Sequence, residues 1–185
     1  MTPLRWGLVV AITGVCATAA DRWFHAANGV VIYPTGEQPV LLVFAIMATG
    51  GVAAVTSVQQ LHRIAPFEGP CPGRERLAVD AAWLLAAYAA TGFFASHGLL
   101  VTAGLSLLAA LRVRNRGRVS AANALATAIV GPIAEAGLIY AGLFQYDPAL
   151  LGQTPFPAWL PALYLHAGLT SETAGRFARD GTWRE

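Results

Sequence analysis

The chain has 185 residues, of which 56% are hydrophobic and 12% charged, and its formal net charge is +2. Soluble domains carry about 25% charged residues, so this composition excludes a soluble globular domain and predicts a single all-α, polytopic membrane domain over residues 1–185. All twelve basic residues are arginines in separated loops, which argues against a nucleic-acid-binding stripe.

The first predicted helix covers residues 4–20, where Arg5 precedes an apolar run. With Ala17-Thr18-Ala19 near its end, this stretch also resembles a secretory signal and its cleavage site. Because further apolar segments follow, we interpret it as the first membrane helix. The second predicted helix covers 39–61, and small residues at four-residue steps predict a helix-packing face on it: Ala45, Thr49, Ala53 and Ser57.

The segment from Leu77 to Arg112 is long for one membrane helix and short for two, since one crossing takes roughly 20 residues. Arginines stand before it at 63, 74 and 76 and after it at 112, 114, 116 and 118. Arginines concentrate in cytoplasmic loops, so both clusters belong on one side. Two crossings achieve this, which predicts helices over 77–95 and 98–112 with a turn near Ser96-His97-Gly98.

The last two predicted helices cover 120–146 and 157–175. Six spans then place eleven of the twelve arginines on one face, with only Arg22 opposite. The sequence therefore predicts six transmembrane helices with both the N and C termini in the cytoplasm.

A polar stripe follows one face of the fifth predicted helix, at Asn123, Thr127, Gly131 and Glu135. An ionisable group at mid-membrane is costly and faces a protein interior or a wet cavity. Two interpretations of Glu135 stay open: a protonated, hydrogen-bonded structural glutamate, or a polar anchor for a ligand inside the bundle.

Other polar residues lie on the neighbouring helices, at Thr102 and Ser106 on the fourth and at His166 and Thr170 on the sixth. Asp80 is expected to cap the third helix or to reach the interface. Motifs of nucleophilic, phosphate-binding or zinc-dependent catalysis are missing from the sequence. We therefore expect no catalytic residues, no cofactor and no metal.

The C-terminal part carries recognisable motifs, which are Gly142-Leu143-Phe144-Gln145-Tyr146, Trp159-Leu160-Pro161, Gly168-Leu169-Thr170 and Gly175-Arg176. Upstream lies the arginine loop Arg114-Asn115-Arg116-Gly117-Arg118. These motifs resemble those of the insulin-induced gene (Insig) family, most strongly over residues 100–178. The lysine-free, alanine- and glycine-rich composition suggests a bacterial homologue.

The resemblance implies a non-enzymatic lipid-binding membrane protein with six helices. Animal Insig proteins lie in the endoplasmic reticulum, bind oxysterols, hold the sterol sensor Scap and help direct HMG-CoA reductase to degradation. The loop aspartate that the family uses for Scap association is matched here by Asn115, which argues against a Scap-type partner. The loop residues Asn115 and Arg116 are still expected to contact some partner.

The predicted function is therefore to hold a sterol- or diacylglycerol-like neutral lipid in a cavity within the bundle. The predicted lipid-binding residues are Thr102, Ser106, Thr127, Gly131, Glu135, His166 and Thr170. The alternatives are an intramembrane lipid-modifying enzyme using Glu135 and His166, and a small-molecule transporter. We expect a homo-oligomer and take three as the number of subunits. Its location would be the inner membrane of a bacterium, or the endoplasmic reticulum of a eukaryote.

Overall fold

Helices dominate the computed structural model, which describes residues 14–67 and 69–180. Helix α1 is described over 14–20 and continues into a π-helical turn at Asp21–Ala26. The other helices are α2 (Val40–Ile64), α3 (Arg74–Phe93), α4 (Gly98–Val113), α5 (Arg118–Tyr140) and α6 (Leu160–Asp180). The all-α class is thus confirmed, while residues 4–13 of the predicted first helix lie outside the described residues.

The predicted break between the third and fourth helices is confirmed. Helix α3 ends at Phe93, a short 3₁₀ turn covers Ala95–His97, and α4 begins at Gly98. Because α3 and α4 are separate helices, the arginines before one and after the other lie at the same end of the bundle.

Helix α5 ends six residues before the predicted boundary, at Tyr140 instead of Tyr146. Gly142 adopts a φ of +72°, a left-handed conformation that glycine takes without steric cost. The Leu143 amide then donates to the Leu138 carbonyl at 3.1 Å, which closes the helix. The chain goes on to form β2 (Gln145–Tyr146), which pairs antiparallel with β1 (Val31–Ile32).

Helix α6 is the centre of the bundle, because it packs against α2, α3, α4 and α5. Its Leu160 and Leu169 are almost fully buried, whereas Leu41, Leu99 and Ile133 on the outer helices are largely exposed. Since its neighbours are protein and not lipid, α6 can carry more polar residues than the helices around it.

Three helical segments of the described chain are long and apolar enough to cross a membrane, namely Val40–Ile64, Ala95–Val113 and Arg118–Tyr140. This supports an integral membrane protein. Helices α3 and α6 are less apolar, since they hold charged residues such as Asp80 and Glu172, which are buried within the bundle. Six spans with both termini in the cytoplasm stay a prediction.

The connections between helices gather at two ends. At one end, β1 pairs with β2, which joins the α1–α2 and α5–α6 connections. At the other, the Arg176 guanidinium donates to the carbonyls of Gly69 and Pro70 in the α2–α3 connection. We call this second end, formed by residues 65–67, 69–73 and 114–117 and the last turns of α6, the arginine end.

The small residues on α2 do not lie on its packing face within this chain. Ala45, Thr49, Ala53 and Ser57 are all exposed. The packing face is instead marked by Val55 and Val58, each 1% exposed. The predicted packing face is therefore wrong within this chain, because four-residue spacing alone does not say which side of a helix meets its neighbour.

Candidate functional site

Glu135 lies where α5, α6 and β2 meet. Its carboxyl group accepts a hydrogen bond from the Tyr164 hydroxyl at 2.7 Å and another from the Tyr146 hydroxyl. One turn earlier, the Tyr164 ring lies so close to Gly131 that a Cβ there would overlap it. Glu135 is partly buried as a whole residue, and two tyrosines from α6 and β2 hold its carboxyl group in place.

A second polar group surrounds Asp21, in the π-helical turn after α1. The Tyr33 hydroxyl donates to Asp21 at 2.6 Å and the Gln38 amide at 2.7 Å. Burial and the neighbouring Asp21 carboxylate raise the pKa of Tyr33, so its phenol stays a neutral donor. His25, four residues after Asp21, lies 3.5 Å from that carboxylate and 2.9 Å from the Thr91 hydroxyl.

Aromatic rings connect these two polar groups. The His25 ring stacks on Tyr88 at a centroid distance of 5.1 Å and lies 5.6 Å from Trp159. Trp159 meets Tyr146 edge to face at 5.9 Å, and Tyr146 donates to Glu135. Sequence reasoning missed the Asp21 group, although Asp21 and His25 stand one helical turn apart beside an apolar segment, which is a usable signal.

A third polar group is buried near the arginine end and centres on Asp80, which is 1% exposed. One carboxylate oxygen accepts from Arg112 at 3.0 Å and from Arg116 at 2.5 Å. The other accepts from the Thr173 hydroxyl at 2.5 Å and lies 3.4 Å from Arg76. The expectation that Asp80 caps α3 or reaches the interface is wrong, because its partners come from α4, α6 and the loop before α5. We call these five residues the Asp80 network.

His166 and Thr170 attach to the same network. His166 Nδ1 lies 2.5 Å from Arg112, and its Nε2 lies 3.0 Å from the Leu105 carbonyl. Since arginine only donates, Nδ1 accepts and Nε2 carries the proton. The Thr170 hydroxyl donates to the Asp80 carbonyl at 2.9 Å. Both predicted lipid-binding residues therefore hold α6 to α3 and α4.

The proposed acid–base pair is not assembled. His166 is engaged by α4 residues, whereas Glu135 is engaged by Tyr164 and Tyr146. Tyr164 and His166 are two residues apart on α6, so they point in roughly opposite directions. This geometry argues against an enzyme that uses Glu135 and His166 on one substrate atom.

The seven predicted lipid-binding residues thus fall in three places. Thr127, Gly131 and Glu135 follow one another along the α5–α6 contact, and His166 and Thr170 contact the Asp80 network. On α4, the Thr102 hydroxyl donates to the Gly98 carbonyl at 2.7 Å, and Ser106 is partly buried.

The two predicted partner-contact residues differ in exposure. Asn115 is exposed, whereas Arg116 is only 9% exposed and donates a hydrogen bond to the Leu169 carbonyl of α6.

Within residues 14–67 and 69–180, no three His, Cys, Asp or Glu side chains converge as metal ligands would.

Two surface clefts among the described residues are not lined by any of the predicted lipid-binding residues. One, of about 170 Å³, lies between α3 and α4 at the arginine end. The other, of about 250 Å³, lies at the opposite end, where the three connections meet around Asn28, Ser96 and Asp147.

Two solved structures share this architecture. A cross-linked trimer of MvINS matches with a TM-score of 0.82, and MvINS itself, an Insig homologue from Mycobacterium vanbaalenii, matches with 0.80. Each is 22% identical over 97% of this chain and 96% of the other. No protein-family model and no curated protein sequence matches the chain. The resemblance is thereby confirmed at the level of architecture: this chain has the fold of a mycobacterial Insig homologue.

Proposed function

We propose that this chain is a non-enzymatic, Insig-type membrane protein that holds a neutral lipid of the sterol or diacylglycerol class beside Glu135. The supporting observation is that Glu135, an intermediate-exposure residue on α5, has its carboxyl group fixed by the Tyr146 and Tyr164 hydroxyls. A carboxylate offers about four acceptor positions, and the tyrosines use two. Those left over can accept a hydrogen bond from a lipid hydroxyl.

The chemistry around Glu135 favours a neutral lipid over a phospholipid. The groups that contact its carboxyl group are two phenols, and the Asp21 carboxylate lies nearby among the same aromatic rings. Acidic groups repel a phosphate but accept from an alcohol. The ring of Tyr164 offers apolar surface for the body of such a lipid.

Glu135→Gln should lower the retention of the neutral lipid about tenfold, because hydrogen bonds to charged groups contribute about 1.5–3 kcal/mol. Glutamine has the same size, but its amide nitrogen only donates. Wild-type and variant protein would be purified in mild detergent, and bound lipid per protein would be quantified by mass spectrometry.

Glu37→Gln is the matched control, since Glu37 is exposed in the α1–α2 connection. This variant should retain as much neutral lipid as the wild type. The proposal fails if the wild type holds no neutral lipid beyond the bulk composition. It also fails if a folded Glu135→Gln variant retains as much lipid as the control.

We also propose that the protein assembles as a homotrimer in a bacterial inner membrane. The similar MvINS has been solved as a cross-linked trimer, and exposed apolar residues on α2, α4 and α5 leave ample surface for copies to meet. Native mass spectrometry from mild detergent should give the mass of three chains. Monomers at every concentration, with native lipid still bound, would contradict this prediction.

A further inference from the structure

The cleft between α3 and α4 at the arginine end has one polar and one apolar side. Arg76, Arg112 and Asn115 line the polar side, with Asp80 at its base. A guanidinium pair beside an amide suits an anion with several acceptor oxygens.

The apolar side is formed by Val79, Trp83 and Leu111. These side chains, on α3 and α4, are 49%, 38% and 55% exposed. Tryptophan is favoured where membrane meets water, since its ring is amphipathic. The cleft therefore combines polar groups at the arginine end with an exposed apolar side that includes a tryptophan, as a site at a membrane–water interface would.

The charges behind this cleft do not balance. The Asp80 network continues through Arg116, which lies 3.7 Å from Glu172, and Glu172 pairs with Arg176 at 3.0 Å. Four guanidinium groups thus meet two carboxylates. Three of the four are 7–11% exposed, whereas Arg76, which lines the cleft, is half exposed. The excess positive charge therefore reaches the surface, where an anion in the cleft would offset it.

The Nε–H group of Arg112 is a hydrogen-bond donor that the described contacts leave unused. Its two terminal nitrogens engage His166 and Asp80, but its buried Nε has no hydrogen-bond partner among the described residues. The side chain is only 8% exposed. A buried donor without a partner is unfavourable, and this one belongs to a residue that lines the cleft.

We propose that this cleft binds the phosphate headgroup of an anionic phospholipid, which is a different site and a different lipid class from those beside Glu135. Arg76, Arg112 and Asn115 would donate to the phosphate oxygens, and an acyl chain would follow Val79, Trp83 and Leu111. Basic pockets between membrane helices on the cytoplasmic side bind anionic headgroups. The apolar side favours a lipid over a free phosphate ion, because the ion would leave it uncovered.

The test uses the full chain, delipidated in mild detergent and titrated with dioleoyl phosphatidylglycerol or dioleoyl phosphatidylcholine under native mass spectrometry. Phosphatidylglycerol should bind at least fivefold more tightly. Arg76→Gln should weaken it about fivefold, since one basic residue near the membrane surface contributes about that factor. The Arg76 side chain is half exposed, so the variant should fold. Asn115→Asp, which adds a like charge at the same cleft, should weaken binding at least as much.

Arg63→Gln is the matched control, because Arg63 is exposed at the end of α2, outside the cleft. Equal binding of the two lipids, or equal losses in Arg76→Gln and Arg63→Gln, would overturn the proposal. Inorganic phosphate at constant ionic strength should leave the bound phosphatidylglycerol in place. Its displacement by phosphate would show a site for the free ion instead.

Discussion

We expect Asp80→Asn to lower the free energy of unfolding by about 3–5 kcal/mol, the cost of removing one partner from a buried ion pair. Asp80 is 1% exposed and accepts from Arg112, Arg116 and Thr173. Asparagine keeps the shape but removes the negative charge, so Arg112 remains buried without a counter-charge and Arg116 keeps only Glu172, at 3.7 Å. Because Asp80 joins α3 to α4 and α6, the loss should loosen all three.

The measurement is an unfolding titration with sodium dodecyl sulfate in mixed micelles, followed by tryptophan fluorescence. Glu75→Gln is the control on the same helix, since Glu75 is exposed, and it should change stability by less than about 0.5 kcal/mol. A drop of under 1 kcal/mol for Asp80→Asn would show that the network contributes little to stability.

Gly168→Leu should also be strongly destabilising, by about 3 kcal/mol, the upper part of the usual range for overpacking. A Cβ at Gly168 would lie 2.8 Å from the Ala124 Cα and 2.9 Å from the Thr127 hydroxyl. The obstacle at Ala124 is backbone and cannot rotate away, so α5 must move from α6. The Asn123 amide, which donates to the Gly168 carbonyl at 2.8 Å, would lose its partner as well.

Gly104→Leu offers the matched comparison. Gly104 lies within α4 and a Cβ there meets nothing within 4 Å, so leucine should be tolerated and should favour the helix. The same unfolding titration separates the two variants. If Gly168→Leu had the same free energy of unfolding as Gly104→Leu, the close α5–α6 contact would not restrict the residue at position 168 to glycine.

Much of the helical layout could be predicted from sequence because arginine placement and hydropathy are local signals. The break at Ala95–His97 followed from the two arginine clusters, and α4 begins at the predicted residue, Gly98. The end of α5 could not be found this way. Tyr146 pairs with Val31, 115 residues earlier in the chain, and the sequence around Tyr146 does not predict this pairing.

The candidate site was only partly predictable. The α5 stripe did place Gly131 and Glu135 on one face, but their tyrosine partners come from α6 and β2. Arg112 and Arg116 were interpreted as loop charges that set topology, yet both turn inward to Asp80. A pattern along one helix identifies which residues share a side, whereas pairing between distant helices depends on how the bundle closes.

The Insig-like motifs have physical roles in this fold. Gly142 ends α5 with its positive φ, and Trp159 is fully buried in the core. Gly168 and Gly175 let α6 approach α5 and α2, since a Cβ at either would overlap its neighbour. These motifs mark the architecture, which is why they identified the fold more readily than a ligand.

The central position of α6 has a consequence for biosynthesis. It follows the helices α2 to α5 in the chain, yet it is the helix on which each of them packs. A ribosome therefore delivers the outer helices to the membrane before the element that unites them exists. Until α6 emerges, Asp80 and Arg112 can pair with each other but lack Thr173 and His166, so the buried polar network is completed only when the last helix joins the bundle.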